Sequence, residues 1–125
     1  MTSILIVDDM PDAREAMAEL VDLAGYEPLK ASSGAEALRL LSEHRPGLVL
    51  LDVSMPEMDG FTVLNHLRQL PHGSDLPVAM LTAFNDPTLR DRALKLGAVD
   101  YFVKGSIDLD AMLDRIDQLV SRKDA

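Results

Sequence analysis

Leu48-Val49-Leu50-Leu51-Asp52-Val53 is a short apolar run that carries one acid near its end. Four further runs of strand length occur along the chain, and segments with a helical period separate them. This alternation is typical of a parallel sheet that helices cover on both faces. The other four runs are residues 3–7, 27–31, 77–81 and 99–103.

The segments between these runs carry the start signals of helices. Ser33-Gly34-Ala35-Glu36 is a capping-box pattern, and Asp86-Pro87 puts an N-cap before a proline at the first helical position. Five strands that alternate with five helices through right-handed connections predict an α/β fold with an open, doubly wound sheet. The last helix is expected to begin at about Asp108. Its expected inward residues are Leu109, Met112, Leu113, Ile116 and Leu119.

Composition argues against several classes of function. A chain of 125 residues is expected to form one domain, residues 1–125. Its 21 Asp and Glu outnumber its 12 Lys and Arg, and the net charge of −9 argues against direct binding to nucleic acid or to a membrane. The chain has no Cys, which excludes thiolate metal sites and fits a reducing compartment. Since no apolar stretch approaches the roughly 20 residues that cross a bilayer, we expect a cytoplasmic protein.

Polar residues stand at the carboxyl ends of the predicted strands, where doubly wound sheets bind their ligands. Asp8 and Asp9 follow the first strand, Asp52 is the penultimate residue of the third, Thr82 follows the fourth, and Lys104 follows the fifth. Two carboxylates 4 Å apart repel by about 4 kcal/mol at an effective dielectric near 20, so three of them favour a bound cation. Hard oxygen ligands are what Mg²⁺ prefers. The pattern therefore predicts a Mg²⁺ site, with Mn²⁺ as an alternative ion.

The same residues suit phosphoryl transfer, which needs chiefly positioning and neutralisation of charge. A carboxylate is able to attack phosphorus and form an aspartyl phosphate, and Asp52 is the candidate nucleophile. Lys104 would pair with one phosphoryl oxygen. The Thr82 hydroxyl and the backbone amide of Ala83 would contact the others.

Four motifs resemble the receiver domain of bacterial two-component response regulators. They occur in the family's order and spacing, and the resemblance covers nearly all of the chain. It implies a flavodoxin-like (βα)5 fold with strand order 2-1-3-4-5. The matching stretches are ILIVDD at 4–9, LDVSMPEMDG at 51–60, MLTA at 80–83 and GAVDYFVK at 97–104.

The resemblance implies a signalling switch rather than an enzyme. Asp52 would be phosphorylated by a histidine kinase or a His-containing phosphotransfer domain, and it would lose the group slowly by itself. Asp8 and Asp9 would hold Mg²⁺ with Asp52, helped by the backbone carbonyl of Ser54. A phosphoryl group adds a charge of about −1.5 to −2 and three acceptor oxygens to such a site.

The resemblance also implies a switch pair, Thr82 and Tyr101. On phosphorylation the Thr82 hydroxyl would move toward the phosphoryl group, and the Tyr101 ring would turn inward. The output surface would then be the fourth helix, fifth strand and fifth helix. This surface is expected to contact an unidentified downstream protein, and a homodimer is left open.

Three residues depart from what the family pattern leads us to expect. Gly105 stands where the family usually has a proline in a cis linkage, so the Lys104–Gly105 peptide is expected to be trans. Val99 stands where many receivers carry an acid, which leaves a dimer contact of one subfamily incomplete. Phe84 is apolar beside the predicted site, and it is expected either to shield a phosphoryl group from water or to anchor a partner.

Three alternatives stay open at this point. One is a Mg²⁺-dependent phosphatase with Asp52 as nucleophile, although Ser54 stands where such enzymes carry a second acid. Another is a flavodoxin-like electron carrier, which the Asp8-Asp9 pair disfavours because it would repel a phosphate. The last is a receiver module from a longer hybrid kinase or transcription factor.

Overall fold

The computed structural model describes residues 2–106 and 108–124, and it contains the five strands and five helices that the sequence predicts. The strands are β1 (Ser3–Val7), β2 (Glu27–Ala31), β3 (Leu48–Asp52), β4 (Val78–Thr82) and β5 (Asp100–Val103). The helices are α1 (Pro11–Leu23), α2 (Gly34–Glu43), α3 (Gly60–Arg68), α4 (Pro87–Lys95) and α5 (Leu109–Asp124).

All five strands are parallel, and their order in the sheet is β2-β1-β3-β4-β5. This confirms the predicted doubly wound topology. Val7 at the end of β1 is in register with Ala31 of β2 and Leu51 of β3. Thr82 at the end of β4 is in register with Val103 of β5. The carboxyl ends of the strands therefore lie along one edge, and the winding reverses between β1 and β3.

The sheet is buried on both faces by two separate apolar clusters. Alternate residues of one strand enter different clusters, because successive side chains of a strand point to opposite faces. Leu5 and Val7 pack with residues of α2, α3 and α4, while Ile4 and Ile6 pack with residues of α1 and α5. This two-sided burial explains why β1, β3 and β4 are continuous apolar runs.

Side-chain caps begin three of the helices, and the sequence predicts two of them, Ser33 and Asp86. Ser33 Oγ accepts a hydrogen bond from the Glu36 amide at 3.1 Å, and Asp59 and Asp86 cap α3 and α4 in the same way. The return bond of the predicted capping box differs by one residue. Glu36 Oε1 accepts from the amide of Ser32, not Ser33, at 3.2 Å.

The structure corrects several predicted element ends by one residue, and it corrects one predicted core position. The third strand ends at Asp52, the fourth covers 78–82, and the fifth starts at Asp100. The apolar period predicts that Leu109 faces inward, but Leu109 is 57% exposed, whereas Met112 and Ile116 are buried. Helical side chains lean toward the helix N-terminus, so a side chain in the first turn of α5 leans past the start of its own helix.

The loop after β5 closes around Gly105 with ordinary peptide bonds. No cis peptide bond occurs among the described residues, which confirms the predicted trans linkage before Gly105. Gly105 has φ +82°, a conformation that residues with a Cβ rarely adopt. Within the described part of the chain, no helix is both long and apolar enough to cross a membrane.

Candidate functional site

The sheet brings the predicted site residues together at the carboxyl edge of β1, β3, β4 and β5. Asp8, Asp52 and Thr82 are 2%, 4% and 0% exposed, and they are the buried polar side chains of the described residues. Lys104 reaches the same place from the end of β5. Burying polar groups is costly unless they have partners, so their partners define the site.

The three carboxylates form one cluster. Asp8, Asp9 and Asp52 each offer an oxygen, and these oxygens lie within 4.8 Å of one another. Lys104 Nζ lies 2.8 Å from Asp8 Oδ2 and 3.5 Å from Asp52 Oδ1. One ammonium therefore pairs with two of the three carboxylates, and the site retains an excess of negative charge.

The surroundings of Asp52 and Lys104 shift the pKa of both groups. Burial raises the pKa of Asp52 to about 6, and the negative charge of Asp8 adds to that rise. The Lys104 charge and the Ser54 amide oppose the rise in the Asp52 pKa. Burial by itself would lower the pKa of Lys104, but its hydrogen bond to Asp8 and the charges of both carboxylates outweigh burial and raise that pKa. Lys104 therefore stays charged, while Asp52 is mostly ionised at pH 7.

Backbone amides orient the buried carboxylates. The amide of Met10 donates to Asp8 Oδ1 at 3.0 Å, and the amide of Ser54 lies 3.4 Å from Asp52 Oδ1. Gly60 lets α3 begin directly against the end of β3, since its amide donates to the Val53 carbonyl at 2.9 Å. A Cβ at Gly60 would lie 2.3 Å from the carbonyl oxygen of Asp52. The backbone around Asp52 thus requires glycine at this position.

A chain of hydrogen bonds joins Thr82 to Tyr101 through the backbone of Phe84. The Phe84 amide donates to Thr82 Oγ1 at 3.0 Å, and the Tyr101 hydroxyl donates to the Phe84 carbonyl at 3.0 Å. The Lys104 amide also donates to the Thr82 carbonyl at 2.6 Å. The family resemblance implies Thr82 and Tyr101 as a pair but not this link, because a backbone contact leaves no pattern in residue types.

The cluster meets the requirements of a Mg²⁺ site. Its donors are hard carboxylate oxygens on two neighbouring strand ends, and partly exposed Asp9 leaves the cluster accessible to solvent. The Ser54 carbonyl as a further ligand and the Ala83 amide as a phosphoryl contact stay predictions. Ser54 lies two residues after Asp52, Ala83 directly follows Thr82, and both residues are exposed.

The chain is similar to proteins of one family. Residues 4–117 match the family model of the response regulator receiver domain. A probable transcriptional regulator ycf27 from Galdieria sulphuraria is 45% identical over 101 residues, which cover 81% of this chain and 38% of that protein. The matched region covers 39% to 41% of the length of the other ycf27 relatives, so the chain spans about two fifths of these proteins.

Solved structures share the fold over nearly the whole chain. The chemotaxis protein CheY4 of Vibrio cholerae superimposes with a TM-score of 0.89 at 28% identity, covering 95% of this chain and 98% of CheY4. The response regulator TrrA of Thermotoga maritima, solved in complex with Mg²⁺-BeF, has a TM-score of 0.83 at 32% identity. That match covers 95% of this chain and 99% of TrrA.

Proposed function

The chain belongs to the response regulator receiver domain family, and we propose that Asp52 is its phosphoacceptor. The observation that carries this assignment is the position of Asp52. It ends the central strand β3, is 4% exposed, and faces Lys104 at 3.5 Å beside two further carboxylates. Membership of this family makes the chain a phosphoryl-accepting signalling domain, which favours that interpretation over the phosphatase and the electron carrier.

Phosphorylation would proceed by attack of an Asp52 carboxylate oxygen on the phosphorus of a phosphohistidine. The P–N bond to the donor imidazole breaks as the P–O bond forms, and its electron pair stays on the ring nitrogen. If the other ring nitrogen carries a proton, the imidazole leaves as the neutral base; if it does not, the departing nitrogen takes a proton from water. The donor we propose is a histidine kinase or a His-containing phosphotransfer domain. Asp52 must be ionised to attack, and a pKa of about 6 leaves it mostly ionised at pH 7.

Charge neutralisation comes from Lys104 and from a metal ion. Asp8, Asp9 and Asp52, with the Ser54 carbonyl, would hold Mg²⁺, which when bound supplies positive charge beside the phosphoryl oxygens. The cation in TrrA is Mg²⁺. Binding of Mn²⁺ stays a prediction, as does slow autodephosphorylation.

Thr82 would bind the phosphoryl group and start the switch. Its oxygen accepts from the Phe84 amide, so its own O–H is available to donate to a phosphoryl oxygen. The Ala83 amide and Lys104 would contact the remaining oxygens. If Thr82 moves toward the phosphoryl group, its bond to the Phe84 amide must lengthen, and Phe84 in turn holds the Tyr101 hydroxyl.

The proposed output surface consists of α4, β5 and α5, where Tyr101 lies. Asn85, Tyr101 and Met112 line a cavity of about 300 Å³ on this surface. We propose that a downstream protein binds here, because the net charge of −9 disfavours a direct contact with nucleic acid. A homodimer through the same surface and a location in the cytoplasm are further parts of the proposal. The chain spans only about two fifths of the ycf27 relatives. If this chain is also part of a longer protein, the activity of that whole protein is a further proposal.

The site assignment is tested by incubating the chain with acetyl phosphate and Mg²⁺ and measuring its mass. We expect a gain of one phosphoryl group that is lost in Asp52→Asn and in EDTA. Asp110→Asn, an exposed carboxylate on α5, is the matched control and should gain the same mass as the native chain. A gain that survives Asp52→Asn, or one that forms equally well in EDTA, contradicts the assignment.

A further inference from the structure

The Lys and Arg side chains of α4 lack hydrogen-bond and ion-pair partners, in contrast to the other Lys and Arg side chains described up to Val120. Among the Lys and Arg side chains described up to Val120, Arg90, Arg92 and Lys95 make no hydrogen bond or ion pair. All three lie on α4. Every other Lys or Arg side chain described up to Val120 hydrogen-bonds to or forms an ion pair with a carboxylate, a carbonyl or a histidine: Arg14, Lys30, Arg39, Arg45, Arg68, Lys104 and Arg115.

Two of these unpaired cations line a groove between α3 and α4. The groove has a volume of about 600 Å³. Arg92 and Lys95 line it on the α4 side, and Phe61 and Asn65 line it on the α3 side. The Arg92 guanidinium lies over the Phe61 ring, 4.3 Å from its centre. Stacking on the ring holds the guanidinium at the groove without using its five N–H donors.

The local charge of the groove is opposite to that of the chain. Asp91 is the one carboxylate that lines the groove among the described residues, and α3 contains no Asp or Glu. The chain as a whole carries 21 acids against 12 Lys and Arg. Although carboxylates are in excess in the chain, none of those described forms an ion pair with Arg92 or Lys95. Their free donors point to a carboxylate supplied from outside the chain.

Helix stability accounts for only part of this arrangement. Arg92 and Lys95 lie in the last turn of α4, where positive charge interacts favourably with the helix dipole. That interaction needs charge near the C-terminus but leaves the N–H donors unused. It also does not require Arg92 to be held on an aromatic ring beside a groove.

We propose that the α3–α4 groove binds an acidic segment of a partner protein. Carboxylates of that segment pair with Arg92 and Lys95, and the planar Arg92 fork is suited to bidentate binding. An apolar side chain of the segment packs beside the partly exposed Leu96 in the groove. The groove shares α4 with the proposed output surface but lies on the side of α3. The proposal therefore goes beyond the phosphoacceptor function and does not depend on it.

The test uses a fluorescein-labelled peptide with a central leucine flanked by glutamates, and the same peptide with glutamines as the control ligand. Binding to the full chain is followed by fluorescence anisotropy and by amide chemical shifts. We expect the glutamate peptide to shift amides of α3 and α4 and to lose affinity as NaCl is raised. Arg92→Gln/Lys95→Gln should weaken its binding at least tenfold, and the glutamine peptide should bind at least tenfold more weakly than the glutamate peptide.

Lys30→Gln/Arg39→Gln is the matched control, since it removes two positive charges from exposed residues elsewhere. We expect it to leave peptide binding within twofold of the native value, as should Asp52→Asn. Equal weakening by both double variants would mean that only net charge matters, and it would overturn the proposal. Absence of binding would overturn it as well. A dimer that Arg92→Gln/Lys95→Gln dissociates, and whose formation shifts amides of α3 as well as α4, would also overturn the proposal, because the groove would then bind a second copy of the chain.

Discussion

Lys104 Nζ lies 2.8 Å from Asp8 Oδ2, an ion pair that joins the last strand of the sheet to the first strand of the chain. The side chain of Asp8 is only 2% exposed, and that of Lys104 is 28% exposed. The same ammonium also lies 3.5 Å from Asp52 Oδ1. Lys104 is therefore a counter-ion of the buried carboxylates, and in the proposed function it is also the group that would contact a phosphoryl oxygen.

Lys104→Gln should destabilise the protein in EDTA. Removing one partner of a buried ion pair costs about 3–5 kcal/mol, and the partial exposure of Lys104 reduces our expectation to about 1–3 kcal/mol. Mg²⁺ should restore part of the loss, because it neutralises the same carboxylates. The free energy of unfolding from denaturant titrations checks this. Lys95→Gln, at an exposed and unpaired lysine, is the control and should change that free energy by less than about 0.5 kcal/mol; equal losses would rule out the counter-ion role.

Asp52→Asn should stabilise the metal-free protein at pH 7 but not near pH 4. The Asp52 pKa is about 6 in the folded chain, against about 3.9 for an unfolded Asp. Above pH 6 the Asp52 carboxylate is ionised in the folded chain, and its burial lowers the free energy of unfolding. Below pH 4 Asp52 is protonated in both the folded and the unfolded chain, so this loss of stability disappears. The expected stabilisation at pH 7 is about 2–3 kcal/mol. Unfolding free energies of both chains in EDTA at the two pH values measure it, and a gain that does not depend on pH would contradict the raised pKa.

Tyr101→Phe should loosen the loop that follows β4 without changing phosphorylation. The substitution removes the hydroxyl that donates to the Phe84 carbonyl, while the carboxylates and Lys104 stay in place. We expect faster amide hydrogen exchange at residues 83–86 and the same mass gain from acetyl phosphate. Tyr26→Phe, which removes a hydroxyl bonded to Asp117 on α5, is the matched control. If Tyr101→Phe also abolished the mass gain, the hypothesis that Tyr101 acts in the switch without affecting phosphorylation of Asp52 would be wrong.

Glu57→Gly should stabilise the fold, and Gly105→Ala should destabilise it. Glu57 has φ 68° in the loop after β3, and a left-handed conformation costs a residue with a Cβ about 1–2 kcal/mol. The greater freedom of glycine in the unfolded chain offsets about 0.5–1 kcal/mol of that gain. Gly105 has φ +82°, and beyond its chain neighbours no heavy atom lies within 4 Å of the place an alanine methyl group would take, so Gly105→Ala adds conformational strain without a clash. Thermal unfolding of both variants should give shifts of opposite sign.

The number, type and order of the elements were predictable from residue patterns alone. Runs such as residues 48–53 are apolar throughout because both faces of the sheet are buried, and Ser33, Asp59 and Asp86 mark helix starts through local hydrogen bonds. Element ends were less predictable. Val53 was predicted to end the third strand but lies just outside β3, although its amide donates to the Leu81 carbonyl. Leu109 fits the apolar period of α5 but is exposed.

Residue patterns were enough to predict which side chains meet, because Asp8, Asp52, Thr82 and Lys104 stand at the carboxyl ends of predicted parallel strands, and those ends share one edge of the sheet. How these side chains interact could be read only from the folded chain. The ion pair of Lys104 with Asp8, the link from Thr82 through the Phe84 backbone to Tyr101, and the unpaired cations of α4 depend on distances between residues far apart in the chain. Periodicity and caps act over a few residues, so they predict elements and edges. Partner choice depends on three-dimensional distance and burial, which no local pattern encodes.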